Sequence, residues 1–371
     1  MTALTIYFLT SGVTAPLVGR LVDRLGARRI MVPGALVAGI GILLLTFTQE
    51  LWHFYGSYLI TGLGMAATGM VPTTAVVSNW FDKRRGTAIG IMSAGMGAGG
   101  LVLAPLIGGY LIPSFGWRNT YLVTAALVWA LIPLILLVIK TRPADLGLHP
   151  DGVADAEAVS EASVSETAPR GVTVRLAVAT TAFWLTALSF LAQGFSEVGI
   201  LQNQVPFLED AGFPMVMAAG VLGGVGLWST IGKFGFGWLC DRIQAKYACA
   251  IGLGLQLVGT IILTNVGATS STTILWTYAV VMGLGVGSWL PAMSMLVSTN
   301  FGLSSYGAIF GMIGFCESLG AAAGPLTAGY IYDAMGTYHW AFIAWISGYT
   351  ISTLSVLMVR RPSAIPDMPQ Q

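Results

Sequence analysis

Charge is what this sequence has least of. Of 371 residues, 17 are Lys or Arg and 16 are Asp or Glu, 9% in all, whereas a soluble domain carries about 25%. That shortfall excludes a chain wrapped in water, whether a soluble enzyme or a disordered segment. The net charge of +1 provides no basic field for a polyanion, so nucleic acid is excluded as a partner. Histidine and cysteine are equally scarce, at three each. Cys240, Cys249 and Cys316 sit in or beside apolar runs, without the spacing of a metal site or a disulfide framework. The runs Gly95-Met-Gly97-Ala-Gly99-Gly100 and Gly283-Leu-Gly285-Val-Gly287 lack the preceding strand and following acidic residue of a dinucleotide loop. No cofactor and no metal is expected, and scattered histidines argue against an enzyme.

What remains is apolar. Hydrophobic residues make up 55%, with 48 Gly and 11 Trp, and mean hydropathy is +0.77. A membrane-spanning helix needs about 20 mostly apolar residues, and eleven stretches qualify. They lie near 3–19, 30–48, 54–77, 87–112, 120–139, 179–203, 216–238, 247–266, 273–297, 308–331 and 340–359. The runs are continuous rather than alternating, which excludes a barrel. The expected fold is an all-α polytopic membrane protein. Close packing of small residues accounts for the glycine runs.

The few basic residues orient it. Fifteen fall on one side, among them Arg20, Arg24, Arg28, Arg29, Lys83, Arg84, Arg85, Lys140, Arg142, Arg242, Lys246, Arg360 and Arg361, against Arg118 alone on the other. Basic loops mark the cytoplasmic face. The expected location is the cell membrane, multi-pass, with the C-terminus cytoplasmic and the N-terminus of this chain outside.

The chain also repeats. Gly19-Arg-Leu-Val-Asp23-Arg24 returns as Gly237-Trp-Leu-Cys-Asp241-Arg242, and Ala104-Pro105-Leu-Ile-Gly108-Gly109-Tyr110 returns as Gly324-Pro325-Leu-Thr-Ala-Gly329-Tyr330. Two patterns at offsets near 220 point to duplicated halves. The motif follows the second span of the later half but the first span of the earlier one. The expected organisation is therefore a five-span bundle at 1–139, a cytoplasmic linker at 140–175, a six-span bundle at 176–361 and a short tail at 362–371. The first half is expected to lack its opening helix, through a start lying upstream or a true shortening. The linker interior, with Asp155, Glu157, Glu161 and Glu166 among Ala, Ser and Val, reads as solvated chain.

These residues carry a resemblance. Gly19 to Arg29, including Asp23, Arg24, Gly26 and Arg28, resembles the first cytoplasmic loop of the major facilitator superfamily. The stretch Gly100-x3-Ala104-Pro105-x2-Gly108-Gly109 resembles its fifth-helix glycine-proline motif. Asn79-Trp-Phe-Asp-Lys-Arg-Arg-Gly86-Thr-Ala-Ile-Gly90, with Gly62, Gly64 and Pro72 before it, resembles the monocarboxylate transporter branch, and Arg142 to Gly152 is similar to its bacterial members. The resemblance implies a monomeric transporter of two helical bundles, usually of twelve spans, that moves a small organic anion such as lactate or pyruvate by alternating access, with protons as the second partner. An anion exchanger of the oxalate/formate type is the near alternative, since it needs a cation but no protonatable carboxylate. A non-transporting membrane receptor is the distant one.

Ionisable groups inside spans are costly and are functional-site candidates. Three qualify: Lys233, Glu197 and Glu317. Lys233 stands four residues before Gly237, where the branch places the basic residue that holds the substrate carboxylate; the resemblance implies the same role. Arg is more usual there, and Lys would act as a point charge rather than a fork. The branch often has an acidic residue one turn earlier, where this chain has Ser229. Glu317 lies at a depth that lets it approach Lys233 and is the candidate for proton coupling. Glu197 is placed near the outer end of its span, as an interfacial carboxylate. Tyr58 and Trp289 are candidate walls of the substrate cavity. Gly19, Asp23, Arg24, Gly26, Arg28, Gly237, Asp241 and Arg242 form the conformational motif, their carboxylates facing helix N-termini. Pro105, Gly108, Gly109, Gly324 and Pro325 are expected to let helices bend.

Overall fold

The computed structural model describes residues 2–152, 171–267 and 269–361. The linker interior and the tail from 362 onward lie outside the described residues. The first half contains α1 (Thr2–Leu25), α2 (Ala27–Thr46), α3 (Leu51–Thr68), α4 (Met70–Trp80), α5 (Arg85–Pro105) and α6 (Ile112–Val138). After the short α7 (Val174–Val178) come α8 (Thr181–Asp210), α9 (Met215–Cys240), α10 (Ala245–Thr264), α11 (Thr272–Gly287), α12 (Trp289–Phe301), α13 (Tyr306–Met335) and α14 (His339–Met358). Ten helical stretches are long and apolar enough to cross a membrane. With α5, the glycine-rich rod between α4 and α6, the described chain forms eleven membrane-length rods. Their outer surface is apolar: Val216 is 85% exposed and Leu137 75%, the inverse of a chain folded in water.

Local chemistry sets the breaks. Gly26 has φ +87°, and a Cβ there would also run into Thr141, so only glycine turns α1 directly into α2. Gly69 separates α3 from α4, and Ser288 separates α11 from α12. Two boundaries differ from those drawn on hydropathy. The segment Leu106–Leu111 is a π-turn that leads straight into α6, and α6 itself kinks at Gly116, φ +75°. The span drawn at 179–203 runs on to Asp210. Gln202, Asn203 and Gln204 lowered the hydropathy there, yet they are helical, and Asn203 and Gln204 are buried.

Backbone contacts through glycine hold α8 against α13. A Cβ at Gly194 would strike the Glu317 carbonyl, one at Gly320 the Leu191 carbonyl, and one at Gly324 the Phe195 carbonyl. Such approach brings two helix backbones within van der Waals contact. Helix α13 passes through Gly324 and Pro325 without a break.

Two crossings join the halves, and they repeat each other. On one side α1 meets α13, where Gly307 abuts Gly19 and Gly311 abuts Ala15. On the other α5 meets α9, where Gly86 abuts Gly237 and Gly90 abuts Lys233. The linker starts across the face that carries the basic loops. Asp151 accepts from the backbone N–H of Asp82 at 3.1 Å and of Lys83 at 2.8 Å, and the Trp80 indole donates to the Lys140 carbonyl at 2.8 Å.

Candidate substrate and coupling site

The repeated loop motif ends each crossing with the same device. The Asp23 carboxylate at the end of α1 accepts from Gly307 N–H and Ala308 N–H, both at 2.9 Å, at the start of α13. The Asp241 carboxylate beyond α9 accepts from Gly86 N–H at 2.7 Å, Thr87 N–H at 2.8 Å and the Thr87 hydroxyl at 2.6 Å, at the start of α5. Each carboxylate thus caps a helix of the opposite half, where free amides and the helix dipole favour negative charge. Arg20, Arg24 and Arg242 around them are exposed, and Arg242 lies over the Trp238 ring at 5.0 Å. Both contacts tie the halves together on the basic face.

Deeper in the second half, six helices carry the polar groups of the candidate site. Lys233 on α9 is 9% exposed, and its backbone forms part of the seam with α5. It stands seven residues before Cys240, roughly 10 Å from that helix end. Glu197 occupies the middle of α8, sixteen residues from Thr181 and thirteen from Asp210. Its placement at the outer end of a span is therefore corrected: it is a mid-helix group, half-buried. Gln193 donates to its carboxylate at 2.7 Å. Glu317 on α13 lays its Cγ against Gly194 of α8, three positions from Glu197, which is the neighbouring place on that helix face.

The expected approach of Glu317 to Lys233 involves a third ionisable group, Glu197, on the helix against which Glu317 packs. Glu317 and Glu197 meet where α13 packs on α8 at Gly194, and Glu317 also has Trp289 beside it. Lys233 has no carboxylate within 4.0 Å among the described residues. Its ammonium remains available to a small anion.

Orphaned polar atoms surround this cluster. Gln193 Oε1, Trp289 Nε1 and the Tyr349 hydroxyl are all buried and lack a partner with hydrogen-bond geometry. Tyr349 on α14 is 0% exposed and lies within electrostatic reach of Glu197 and Tyr278. Tyr278 on α11 donates to Gln204 Oε1 at 2.8 Å. Buried polar atoms without partners cost free energy, and three beside two carboxyls and a lysine mark a site that is not a packed core. Of the two expected cavity walls, the structure brings Trp289 to this site. Tyr58 is not among these groups: it lies on α3 of the first half, its ring 4.8 Å from Phe54 and its hydroxyl at Tyr121. Tyr349 escaped sequence reasoning altogether, because an aromatic in an apolar span looks the same whether it meets lipid or a carboxyl.

A sequence profile of the Major Facilitator Superfamily matches residues 1–325, and again 231–369. The chain belongs to that superfamily. It is 28% identical over 366 residues to human monocarboxylate transporter 11, which covers 95% of this chain and 72% of that protein. It is 27% identical over 332 residues to monocarboxylate transporter 13 of Rattus norvegicus, covering 89% of this chain and 72% of the relative. Among solved structures, the human organic anion transporter MFSD10 superposes with TM-score 0.69 at 19% identity, over 95% of this chain and 82% of that one. FucP in its outward conformation superposes with TM-score 0.71 at 14% identity, over 98% and 91%. At these identities the structures speak for the fold. The superfamily match makes this chain a multi-span membrane transporter rather than an enzyme, and the relatives show that it resembles the monocarboxylate branch.

Proposed function

We propose that this protein is a secondary active transporter of a small monocarboxylate of the lactate or pyruvate kind, moved together with protons by alternating access. The observation that supports this most directly is Lys233: a buried lysine at the seam between the halves, facing carboxyls that do not touch it. Transporters built from repeats place substrate between the halves near the midplane. A carboxylate arriving there supplies the counter-charge that Lys233 lacks, and the Trp289 indole N–H, placed at Glu317, is a further donor of the same cluster. The absence of a guanidinium fork leaves the anion's orientation loose, which suits a small substrate. Asp23 and Asp241 act as paired latches of the basic face, taken as cytoplasmic, and a single copy of the chain suffices.

Purified protein in liposomes, with an inward proton gradient, is expected to accumulate labelled lactate or pyruvate, and a protonophore is expected to abolish that accumulation. Failure to move either acid at any pH gradient would remove this reading.

A further inference from the structure

We propose that the basic face carries a second ligand site, a cleft beside the Asp23 latch that takes a small amphipathic organic anion and so holds the two halves together there. This goes beyond the transport function proposed above and does not depend on which acid is carried. The cleft encloses about 550 Å³, within the roughly 300–1,000 Å³ of small-molecule sites. It is separate from the polar cluster: Lys233, Glu197 and Glu317 do not line it.

Its walls are built from both halves. On the first-half side stand Val22 and Asp23 of α1, Ala75 and Asn79 of α4, and the chain after α6, within residues 141–150. That stretch is a pinned turn. Asn79 donates to the Thr141 carbonyl at 3.4 Å, and the Arg142 N–H donates to the Asp145 carboxylate at 3.2 Å. The N–H groups of Gly147 and Leu148 donate back to the Ala144 and Pro143 carbonyls, both at 3.1 Å. Gly147 has φ +70°, a conformation that suits glycine. On the second-half side stand Leu303, Ser304 and Tyr306, at the turn from α12 into α13. There the Ser304 hydroxyl donates to the Val172 carbonyl at 3.2 Å.

The lining defines the ligand. Val22, Ala75 and Tyr306 are buried and offer an apolar floor, the Tyr306 hydroxyl being already engaged with Ser294 at 2.6 Å. Arg142 at the exposed rim makes one long hydrogen bond, to the Asp23 carbonyl at 3.4 Å. No carboxylate lies within 4.0 Å of its guanidinium among the described residues. The Asp23 carboxylate is spent on the Gly307 and Ala308 amides. A guanidinium fork matches a carboxylate, so the ligand is an organic acid whose charge meets Arg142 and whose apolar body covers the floor. The exposed rim at Arg142 and Leu148 admits it from water. The space is several times what lactate fills, so the ligand is larger than the proposed substrate.

Opening the basic face must part Asp23 from the start of α13, and that carries Leu303, Ser304 and Tyr306 away from Arg142. The cleft therefore exists only while the halves are joined. A ligand that binds one arrangement alone shifts the population towards it, and this one is an inhibitor acting away from the substrate.

Cys240, 4% exposed against Gly86 at the other crossing, reports such opening from a distance. The probe is 4-phenylbutyrate, a soluble aryl acid, added to the full chain with Cys249 and Cys316 replaced by Ser. At ten times its half-effect concentration it is expected to slow maleimide labelling of Cys240 about tenfold. Its neutral amide is expected to have no effect. Arg142→Gln is expected to raise the half-effect concentration at least about tenfold, and Leu148→Asp, which sets a negative charge in the lining, to do the same; both lie at the exposed rim and are expected to keep transport. Lys233→Ala is expected to leave the slowing intact. Absence of slowing in the unaltered chain, equal slowing by the amide, or undiminished slowing in both rim variants would overturn the site. So would slowing lost in Lys233→Ala but kept in Arg142→Gln, which places the probe with the substrate. Oleate carried in the bilayer is expected to leave labelling unchanged, and slowing by oleate alone would overturn a site for a soluble acid.

Discussion

The two halves share their latches but not their chemistry. Gly86 and Gly90 of α5 meet Gly237 and Lys233 of α9 as Gly307 and Gly311 of α13 meet Gly19 and Ala15 of α1. Ala15 is thus the counterpart of Lys233: the same crossing carries a methyl group in one half and the buried cation in the other. The carboxylates Asp23 and Asp241 likewise cap matching helices of the opposite half. A second difference lies in what covers the matching helices α5 and α13. Gly320 of α13 is filled by the α8 backbone, while Gly95, Gly99 and Gly100 of α5 meet nothing within 4 Å. What the repeat preserves is the closure between halves, where glycines let the helix backbones touch. What it lets diverge is the polar cluster, which needs its groups in one half alone.

That contrast can be broken at several places, beginning with the helix faces. Gly320→Leu forces a side chain into the Leu191 backbone and is expected to cost about 3 kcal/mol, read as a lowered melting temperature in detergent. Gly100→Leu, its counterpart on the uncovered face, is expected to change stability by under about 0.5 kcal/mol. Equal losses would mean that the two faces are covered alike.

The latches should behave as a pair. Asp241→Asn and Asp23→Asn each weaken hydrogen bonds to a charged acceptor, a loss of about 1.5–3 kcal/mol. Cys240 is 4% exposed beside Gly86, so it reports opening. With Cys249 and Cys316 replaced by Ser, maleimide labelling of Cys240 is expected to accelerate about tenfold in either variant. Asp241→Asn is expected to be the faster, because Asp241 also holds the Thr87 hydroxyl. An effect confined to one of the two would contradict their equivalence. The smallest change is expected from Asp151→Ala. Its carboxylate holds the Asp82 and Lys83 amides at an exposed site within the first half, so the same labelling rate is expected to stay within about threefold, under 1 kcal/mol.

Much of this was legible in the sequence, and the reasons are physical. A charge inside an apolar run is visible without coordinates, which is why Lys233 and Glu317 stood out. The spacing Gly19-x3-Asp23 repeated at 237–241 showed where the latches lie. Hydropathy misplaced Glu197, since three amide-bearing residues after Leu201 resemble a loop although the helix continues to Asp210. That Glu317 packs three positions from Glu197 depends on the α8–α13 contact at Gly194, which depth along single helices does not reveal. Tyr58 looked equivalent to Trp289 because sequence gives no direction to an aromatic ring.

The central claim is that the second half alone supplies the charge that holds the substrate, through Lys233. Stabilisation of the purified protein by lactate tests it most directly, since a ligand that binds the folded state raises its melting temperature in proportion to occupancy. The account predicts a lactate-dependent rise for the unaltered chain and for Lys233→Arg, and none for Lys233→Ala at the same concentrations. An undiminished rise in Lys233→Ala would contradict it.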